Sequence, residues 1–207
     1  MGTSKKLTAA GNTRDHIIDS SLVLFAQRGF RGVSISELGV ACGLAKSSVL
    51  HHFSSKAQLY SAVLDRVDTS LESIEASVMD IPRGIREAVE GLIANLLQWS
   101  SDQPEHACLV VFELLELRTR AKQPKHWNLA PAVKKFLKLI KQGQKEGVVH
   151  RCEPAAVLEL ILGATTYKVL SEPVTAAMVG KPYNNRLQSK LDRDLVALLE
   201  RAILTRQ

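Results

Sequence analysis

The chain has 207 residues, 45% of them hydrophobic and 23% charged, a balance that excludes disordered and fibrous classes. Its net charge is +6, and residues 1–56 carry seven basic side chains against three acidic ones, which favours a polyanionic partner for that end. We expect no secretory leader, and no apolar run approaches the roughly 18 residues of a membrane span. The three cysteines are scattered along the chain. We therefore expect a cytoplasmic protein that does not enter a membrane.

The N-terminal region is expected to begin with a flexible arm over residues 1–12, which are small and polar. Apolar residues at i, i+4 and i+7 then predict an amphipathic helix of about 16 residues that starts near Thr13 and is closed by Gly29. These apolar residues are Ile18, Leu22 and Phe25.

Two short helices are predicted next. A capping box formed by Ser34 and Glu37 begins the second helix, Gly43 marks a turn, and the third helix covers about residues 46–53. The residues expected to face inward from the third helix are Leu44, Val49 and Phe53.

The rest of the chain is also predicted to be helical. A second capping box, Ser55-x-x-Gln58, begins a long fourth helix that Ile81-Pro82 ends. Further helices are expected at about 84–101, 104–120, 129–146, 154–178 and 187–205, with Pro173 kinking or interrupting the fourth of these five. The predicted fold class is therefore all-α with about nine helices.

The second and third helices have the layout of a helix-turn-helix. In that unit the first helix crosses the phosphate backbone and supports the second in the major groove of DNA. The outer surface predicted for the third helix is rich in groups that can bond bases or phosphates: Lys46, Ser47, Ser48, His51 and His52. On helix pattern alone, an ordinary three-helix core with a polar outer face explains the segment equally well.

A set of spaced anchors distinguishes the two interpretations. They are Ile17-Ile18, Leu24-Phe25-Ala26, Gly29-Phe30, Val33-Ser34-Ile35, Glu37-Leu38, Ala41-Cys42-Gly43-Leu44, Lys46, Val49, His52-Phe53, Ser55-Lys56 and Leu59. Through them, Thr13–Val67 resembles the N-terminal DNA-binding domain of TetR-family transcriptional regulators.

The resemblance implies roles by position. Thr13, Arg14 and Lys56 would hold phosphates; Lys46, Ser47, Ser48 and His51 would face the groove, and His52 would close the helix. Ser34 and Leu50 complete the predicted DNA-binding set. Two positions depart from the family pattern: Ala45 replaces the usual Ser or Thr cap, and Leu50 replaces a Tyr that meets the DNA backbone.

The resemblance also implies the organisation of the whole chain. It predicts a helix-turn-helix domain over 13–56 and a helical effector-binding and dimerisation domain over 57–207, joined by the long fourth helix. The expected partners are a double-stranded DNA operator, a second copy of the chain and a small-molecule effector.

Candidate effector and dimer residues follow from this organisation. The effector candidates on the middle helices are Trp99, His106, Leu109, Phe112, Glu113, Trp127 and Tyr167, although each can equally be a core or surface residue. The dimer candidates are Gly163, Thr166, Leu187, Leu191, Leu195 and Leu198, whose alternative role is in the internal core.

No metal site, cofactor or catalytic centre is expected. His51 and His52 are consecutive, so they point about 100° apart on a helix, and the two His-x-Cys pairs are each two ligands short of a closed site. We therefore predict a ligand-released repressor that acts as a homodimer on a pseudo-palindromic operator. The alternatives are a helical protein-interaction module and a small helical enzyme.

Overall fold

A computed structural model describes residues 4–79, 84–119, 128–179 and 185–206, with side chains from Thr13 onward. Within these ranges the fold is all-α, as predicted. The β-type pairing found there is one isolated antiparallel bridge between Val149 and Leu204. The helices are α1 (Ser4–Arg28), α2 (Ile35–Ala41), α3 (Lys46–His52), α4 (Lys56–Met79), α5 (Ile85–Asp102), α6 (Pro104–Thr119), α7 (Ala130–Lys145), α8 (Pro154–Val179) and α9 (Asn185–Ile203).

The first helix begins earlier than predicted. Its backbone is helical from Ser4 rather than from Thr13, and the flexibility predicted for residues 1–12 stays a prediction. Ala9 and Ala10 have the highest helix propensity, and this offsets the cost of about 1 kcal/mol for Gly11 inside the helix.

The eighth helix runs through its proline. The backbone of α8 is helical from Pro154 to Val179, so Pro173 does not interrupt it. A proline inside a helix removes one N–H donor and its ring crowds the carbonyl of the preceding turn, so the predicted kink stays a prediction.

The chain divides into two compact units. The first unit comprises Met1–Val67 with Cys108–Asn128, and the second comprises Asp68–Ala107 with Leu129–Gln207. This division differs from the functional boundary predicted between residues 56 and 57, which stays a prediction.

The core of the first unit fixes the relative positions of its short helices. Phe25, Leu38 and Phe53 contribute large side chains that are almost fully buried. The Tyr60 ring packs edge-on against Phe25 with the ring centroids 5.0 Å apart. Gly29 ends α1 in a left-handed conformation, with φ of 66°, that a residue with a Cβ rarely adopts.

The core of the second unit is built on α5, which packs against α7, α8 and α9. Leu92 and Leu96 of α5, Phe136 of α7 and Ile161 of α8 are buried. A charged group also lies inside this unit: Lys168 Nζ is 2.5 Å from the Asp192 carboxylate, and the Lys168 side chain is 9% exposed. This ion pair joins α8 to α9, the two helices that carry the predicted dimer residues.

Candidate nucleic-acid interface

The start of α2 is fixed by the predicted capping box. The Glu37 backbone N–H donates to Ser34 Oγ over 3.2 Å, and the Ser34 backbone N–H donates to Glu37 Oε2 over 2.8 Å. Arg28 donates to the other carboxylate oxygen of Glu37. Hydrogen bonding with Ser34 holds the pKa of Glu37 below its usual value, and Arg28 adds to this effect.

The turn between α2 and α3 is a Schellman motif. The N–H of Leu44 donates to the carbonyl of Gly39, and the N–H of Gly43 donates to the carbonyl of Val40. Gly43 has a φ of 65°, as a residue in this position requires.

Gly39 allows the two helices to approach closely. A Cβ at this position would lie 2.8 Å from the backbone oxygen of Leu44 and 3.4 Å from the backbone nitrogen of Lys46. The sequence interpretation did not single out Gly39. Its signal is a glycine inside a predicted helix four residues before the turn glycine, a place where reduced helix propensity needs a packing reason.

The third helix is held by two buried anchors. Val49 is fully buried and Phe53 is 1% exposed, as predicted, whereas Leu44 is only half-buried. The side chains that remain exposed are Lys46, Ser47, Leu50 and His51, and those of Ser48 and His52 are half-buried. Three of the four residues predicted to face the groove, Lys46, Ser47 and His51, are therefore exposed, and the fourth, Ser48, is half-buried.

The N-terminus of α3 lacks a side-chain cap. Its N-cap is Ala45, with φ of −67° and ψ of 150°, and no side-chain hydrogen bond closes the first turn. The predicted departure at this position thus has the structural effect that was expected of it.

Of the predicted phosphate ligands, Arg14 lies beside the end of α3. Its guanidinium carbon is 4.8 Å from the centroid of the Phe53 ring, and the side chain remains exposed. Thr13 is half-buried one residue earlier in α1. Arg14 can therefore support Phe53 and still reach solvent.

Lys56 makes internal contacts that the sequence did not predict. Its ammonium donates to the carbonyls of Phe30 and Val33, each over 2.8 Å, and lies 4.3 Å from the centroid of the Phe30 ring. Two of its three N–H donors hold the turn between α1 and α2, which leaves one for a phosphate.

The second predicted capping box, at the start of α4, forms with one changed hydrogen-bond partner. The backbone N–H of Gln58 donates to Ser55 Oγ, as predicted, but the Gln58 side chain accepts from the backbone N–H of Ser54 rather than that of Ser55. The first turn of α4, which carries Lys56, is satisfied all the same.

The helix-turn-helix is tied to α1 through Cys42. The ring Nε2 of His16 donates to the Cys42 carbonyl over 3.1 Å. The Cys42 side chain is buried, and this burial raises the pKa of its thiol. Cys42 therefore acts as a small apolar core residue.

The predicted effector residues separate between the two units. In the second unit, Trp99 Nε1 donates to Ser70 Oγ over 3.0 Å, and the same hydroxyl lies 2.9 Å from Nδ1 of His106. Leu109, Phe112 and Glu113 belong to the first unit, where Phe112 covers Gly29 and Glu113 is 3% exposed. Trp127 lies outside the described residues.

Tyr167 lies at the surface of the described chain. Its side chain is 72% exposed on α8, and its predicted effector contact stays a prediction. Further large apolar side chains are exposed on the same helix: Leu160, Leu170, Val174 and Met178. Sequence periodicity did not reveal this face because α8 is apolar on all sides.

The predicted dimer residues lie on α8 and α9 with graded exposure. Gly163 is exposed with open space beside it, and Leu198 is 57% exposed. Leu187, Leu191 and Leu195 are half-buried. Thr166 is half-buried as well, and its hydroxyl donates to the Leu162 carbonyl within α8.

Metal-binding clusters and membrane-spanning helices are both absent from the part of the chain that the structure describes. No group of three or more His, Cys, Asp or Glu side chains is placed there to hold a metal ion. None of the described helices has the length and apolar character needed to cross a membrane.

Comparison with known proteins agrees with the geometry. Residues 17–63 match the family described as bacterial regulatory proteins, tetR family. The HTH-type transcriptional regulator RutR of Escherichia coli K12 is 25% identical over 179 residues, which is 86% of this chain and 84% of RutR. The HTH-type transcriptional repressor KstR2 of Mycobacterium tuberculosis is 22% identical over 179 residues, 82% of this chain and 88% of KstR2.

Solved structures share the fold. The structure of KstR2 has a TM-score of 0.70 at 16% identity and covers 93% of this chain and 95% of its own. A crystal structure of AibR in complex with isovaleryl coenzyme A and operator DNA has a TM-score of 0.63 at 16% identity, with 90% and 97% covered. RutR and KstR2 are named as transcriptional regulators, which confirms the expectation that the chain is not an enzyme. Residues 17–63 thus carry a helix-turn-helix domain of the tetR family, and the chain, similar over most of its length to these regulators, is a DNA-binding transcriptional regulator.

Proposed function

We propose that the chain is a repressor that binds a pseudo-palindromic operator as a homodimer and is released by a small ligand. The observation that carries the proposal is the open surface of α3. Lys46, Ser47 and His51 are exposed there while Val49 and Phe53 anchor the helix from behind. A helix held in this way can enter a major groove without losing its packing.

Individual groups on this surface suit different parts of the DNA. Lys46 would neutralise a phosphate or donate to guanine, and Ser47, Ser48 and His51 would bond bases or phosphates. Leu50, at 38% exposure, would pack against a thymine methyl or a sugar. Thr13, Arg14, Ser34, His52 and the remaining Lys56 donor would fix the register on the backbone.

The exposed apolar face of α8, with α9 beside it, supports the homodimer. A contiguous apolar face on a protein surface is typical of an interface. Paired about a two-fold axis, α8 and α9 would form an intermolecular four-helix bundle that includes Gly163, Tyr167 and Leu198. The two α3 helices would then read half-sites about one helical turn apart.

The relatives support repression and ligand binding, and release by the ligand is the step that we add. KstR2 is named a repressor, and AibR was crystallised with an acyl coenzyme A and its operator. Release requires that the ligand bind more tightly to the dimer whose α3 spacing does not fit the operator. The Trp99 and His106 pair around Ser70 is our candidate contact in the second unit. Such a protein would act in the cytoplasm, where the DNA is.

The experiment is a titration of the purified protein against DNA fragments from beside its own coding sequence at several salt concentrations. We expect a steep decrease in affinity with salt and a preference of at least about 10³ for one fragment over random DNA. A flat salt response would favour the protein-interaction module.

Substitutions sharpen the same experiment. Lys46→Ala and His51→Ala should each weaken specific binding by about 1–3 kcal/mol for every base that the shortened side chain can no longer reach. Lys138→Ala is the matched control, because Lys138 is an exposed lysine of the second unit, on α7. If all three variants bind the fragment equally, the assignment of α3 to the groove is wrong.

A further inference from the structure

The first unit contains a cavity whose lining includes none of the predicted DNA-binding residues. Its volume is about 130 Å³, and its lining comprises Phe30, Ala57, Tyr60, Ser61, Leu64, Glu113 and Asn128. All of these residues belong to the first unit. A water molecule occupies about 30 Å³ in the liquid, so the cavity has room for a molecule of roughly four to six heavy atoms.

A buried carboxylate forms one side of this cavity. Glu113 is 3% exposed, and its Oε2 accepts a hydrogen bond from the Tyr60 hydroxyl over 3.0 Å. This bond to Tyr60 is the one hydrogen bond that Glu113 makes within the described residues. An ionised carboxylate can accept about four hydrogen bonds, so most of its acceptor capacity is unused. A carboxylate buried with a single partner favours a cation beside it.

Lys56 directly precedes Ala57 of the lining, but its ammonium is committed elsewhere. The Lys56 ammonium donates to the backbone carbonyls of Phe30 and Val33. No ion pair between Lys56 and Glu113 occurs among the described residues.

Asn128 also lines this cavity. Its Nδ2 donates to Ser61 Oγ over 3.0 Å and to Asp65 Oδ1 over 2.9 Å. Because a carboxylate only accepts, the contact with Asp65 fixes the orientation of the amide. Both amide hydrogens are thereby used, and the Asn128 carbonyl oxygen is left as an acceptor.

Apart from Ser61, the remaining walls are formed mainly by apolar and aromatic groups. The rings of Phe30 and Tyr60 have their centroids 5.0 Å apart and are tilted by 56°, and Leu64 is 2% exposed. Aromatic faces attract cations as well as methylene groups. The cavity thus combines hydrogen-bond acceptors, a negative charge and a short apolar wall.

We propose that this cavity binds a small primary alkylammonium ion of about two to four carbons. Its N–H groups donate to the carboxylate of Glu113 and the carbonyl of Asn128, and its alkyl chain packs against Leu64 and the two rings. The ligand class follows from the acceptors, since a quaternary ammonium has no N–H to give them and a neutral alcohol has no charge to place beside Glu113.

The test compares three probes on the full chain without DNA, by isothermal titration calorimetry at matched ionic strength. n-Propylammonium chloride should bind at least tenfold more tightly than tetramethylammonium chloride and than 1-propanol. Equal binding of all three, or no binding of n-propylammonium, overturns the proposal. Because no DNA is present, that failure would leave the operator proposal standing.

Two variants identify the site. Glu113→Gln keeps an acceptor for Tyr60 but removes the charge, and it should weaken n-propylammonium binding at least tenfold. Glu116→Gln is the matched control on the same helix, because Glu116 pairs with Arg31 over 3.2 Å at the surface of the first unit; it should change the affinity less than twofold. Unchanged affinity in Glu113→Gln would overturn the site, and if that variant fails to fold, the three-probe comparison on the unmodified chain decides.

Discussion

At the start of α3, the residue that should accept hydrogen bonds from the first turn is Ala45, whose methyl group has no acceptor. Ala45→Ser should stabilise the protein by about 1 kcal/mol, because the backbone at residue 45 already has the extended geometry of an N-cap. The measurement is the free energy of unfolding from urea titration.

A matched substitution separates the cap from a general effect of serine. Ala41→Ser introduces the same hydroxyl at an exposed position in the last turn of α2, where serine is a poorer helix former than alanine. It should be neutral or slightly destabilising. Equal stabilisation by both serines would mean that the first turn of α3 does not need a cap.

Glu37 should make stability depend on pH. Its folded-state pKa lies below the unfolded value of about 4.3, so its contribution is present above that value and is lost as the pH falls through the folded pKa. Between pH 6 and pH 3 the unmodified chain should therefore lose more unfolding free energy than Glu37→Gln does. Glu87→Gln, an exposed glutamate in the first turn of α5, is the comparison; if it reduces the pH dependence as much, the capping box is not the cause.

Residues with local roles were the most predictable from sequence. Ser34, Glu37 and Gly43 act through partners within five positions, so the printed order of residues is enough to assign them. The carbonyl contacts of Lys56 and the bond between Tyr60 and Glu113 join positions 23 to 53 apart. Such pairs depend on how helices pack, which one sequence does not contain.

At the scale of the helix-turn-helix, Gly39 sets the distance between α2 and α3. Gly39→Ala would place a Cβ 2.8 Å from the Leu44 carbonyl oxygen, which belongs to the backbone and cannot rotate away. We expect a loss of about 1–3 kcal/mol in unfolding free energy and weaker operator binding, because the turn must shift. Val40→Ala, at the 82% exposed neighbouring position, should change neither quantity. A fully stable Gly39→Ala would show that the turn yields at little cost.

Helix ends were predictable where a residue marks them and unpredictable where none does. Gly29 and the Ser55 cap placed the end of α1 and the start of α4 correctly. The start of α1 was placed nine residues late, at Thr13 instead of Ser4, because the polar composition of residues 4–12 resembles an arm although the backbone there is helical.

At the scale of the whole molecule, the exposed face of α8 should determine assembly. Tyr167→Glu would bury two charges in a two-fold interface, since each substitution occurs once per copy. We expect the dimer dissociation constant to rise at least tenfold, which corresponds to about 1.4 kcal/mol. Sedimentation velocity over a concentration series measures it.

The control for this prediction is Val40→Glu, which adds the same charge to another exposed apolar position, on α2. It should leave the dimer constant unchanged. If Tyr167→Glu assembles like Val40→Glu and the unmodified chain, the homodimer does not use α8.

The sequence predicts an interface on α8 and α9 and an effector contact at Tyr167, and both stay predictions. Tyr167 is 72% exposed on α8, and Leu170 is 48% exposed on the same helix. Because α8 is apolar on every side, only packing against α5, α7 and α9 determines which of its faces remains open.

The internal contacts of Lys56 change how the charge of the first unit should be counted. Each phosphate neutralised by a protein cation releases about 0.9 of a condensed counterion from B-DNA, and this release sets how steeply affinity falls with salt. An ammonium bound to the carbonyls of Phe30 and Val33 keeps its full charge but is fixed in place, so it can neutralise only a phosphate that comes within reach of that turn. A tally of lysines and arginines in residues 1–56 therefore counts as free to reach any phosphate a charge whose first role is to hold the turn between α1 and α2.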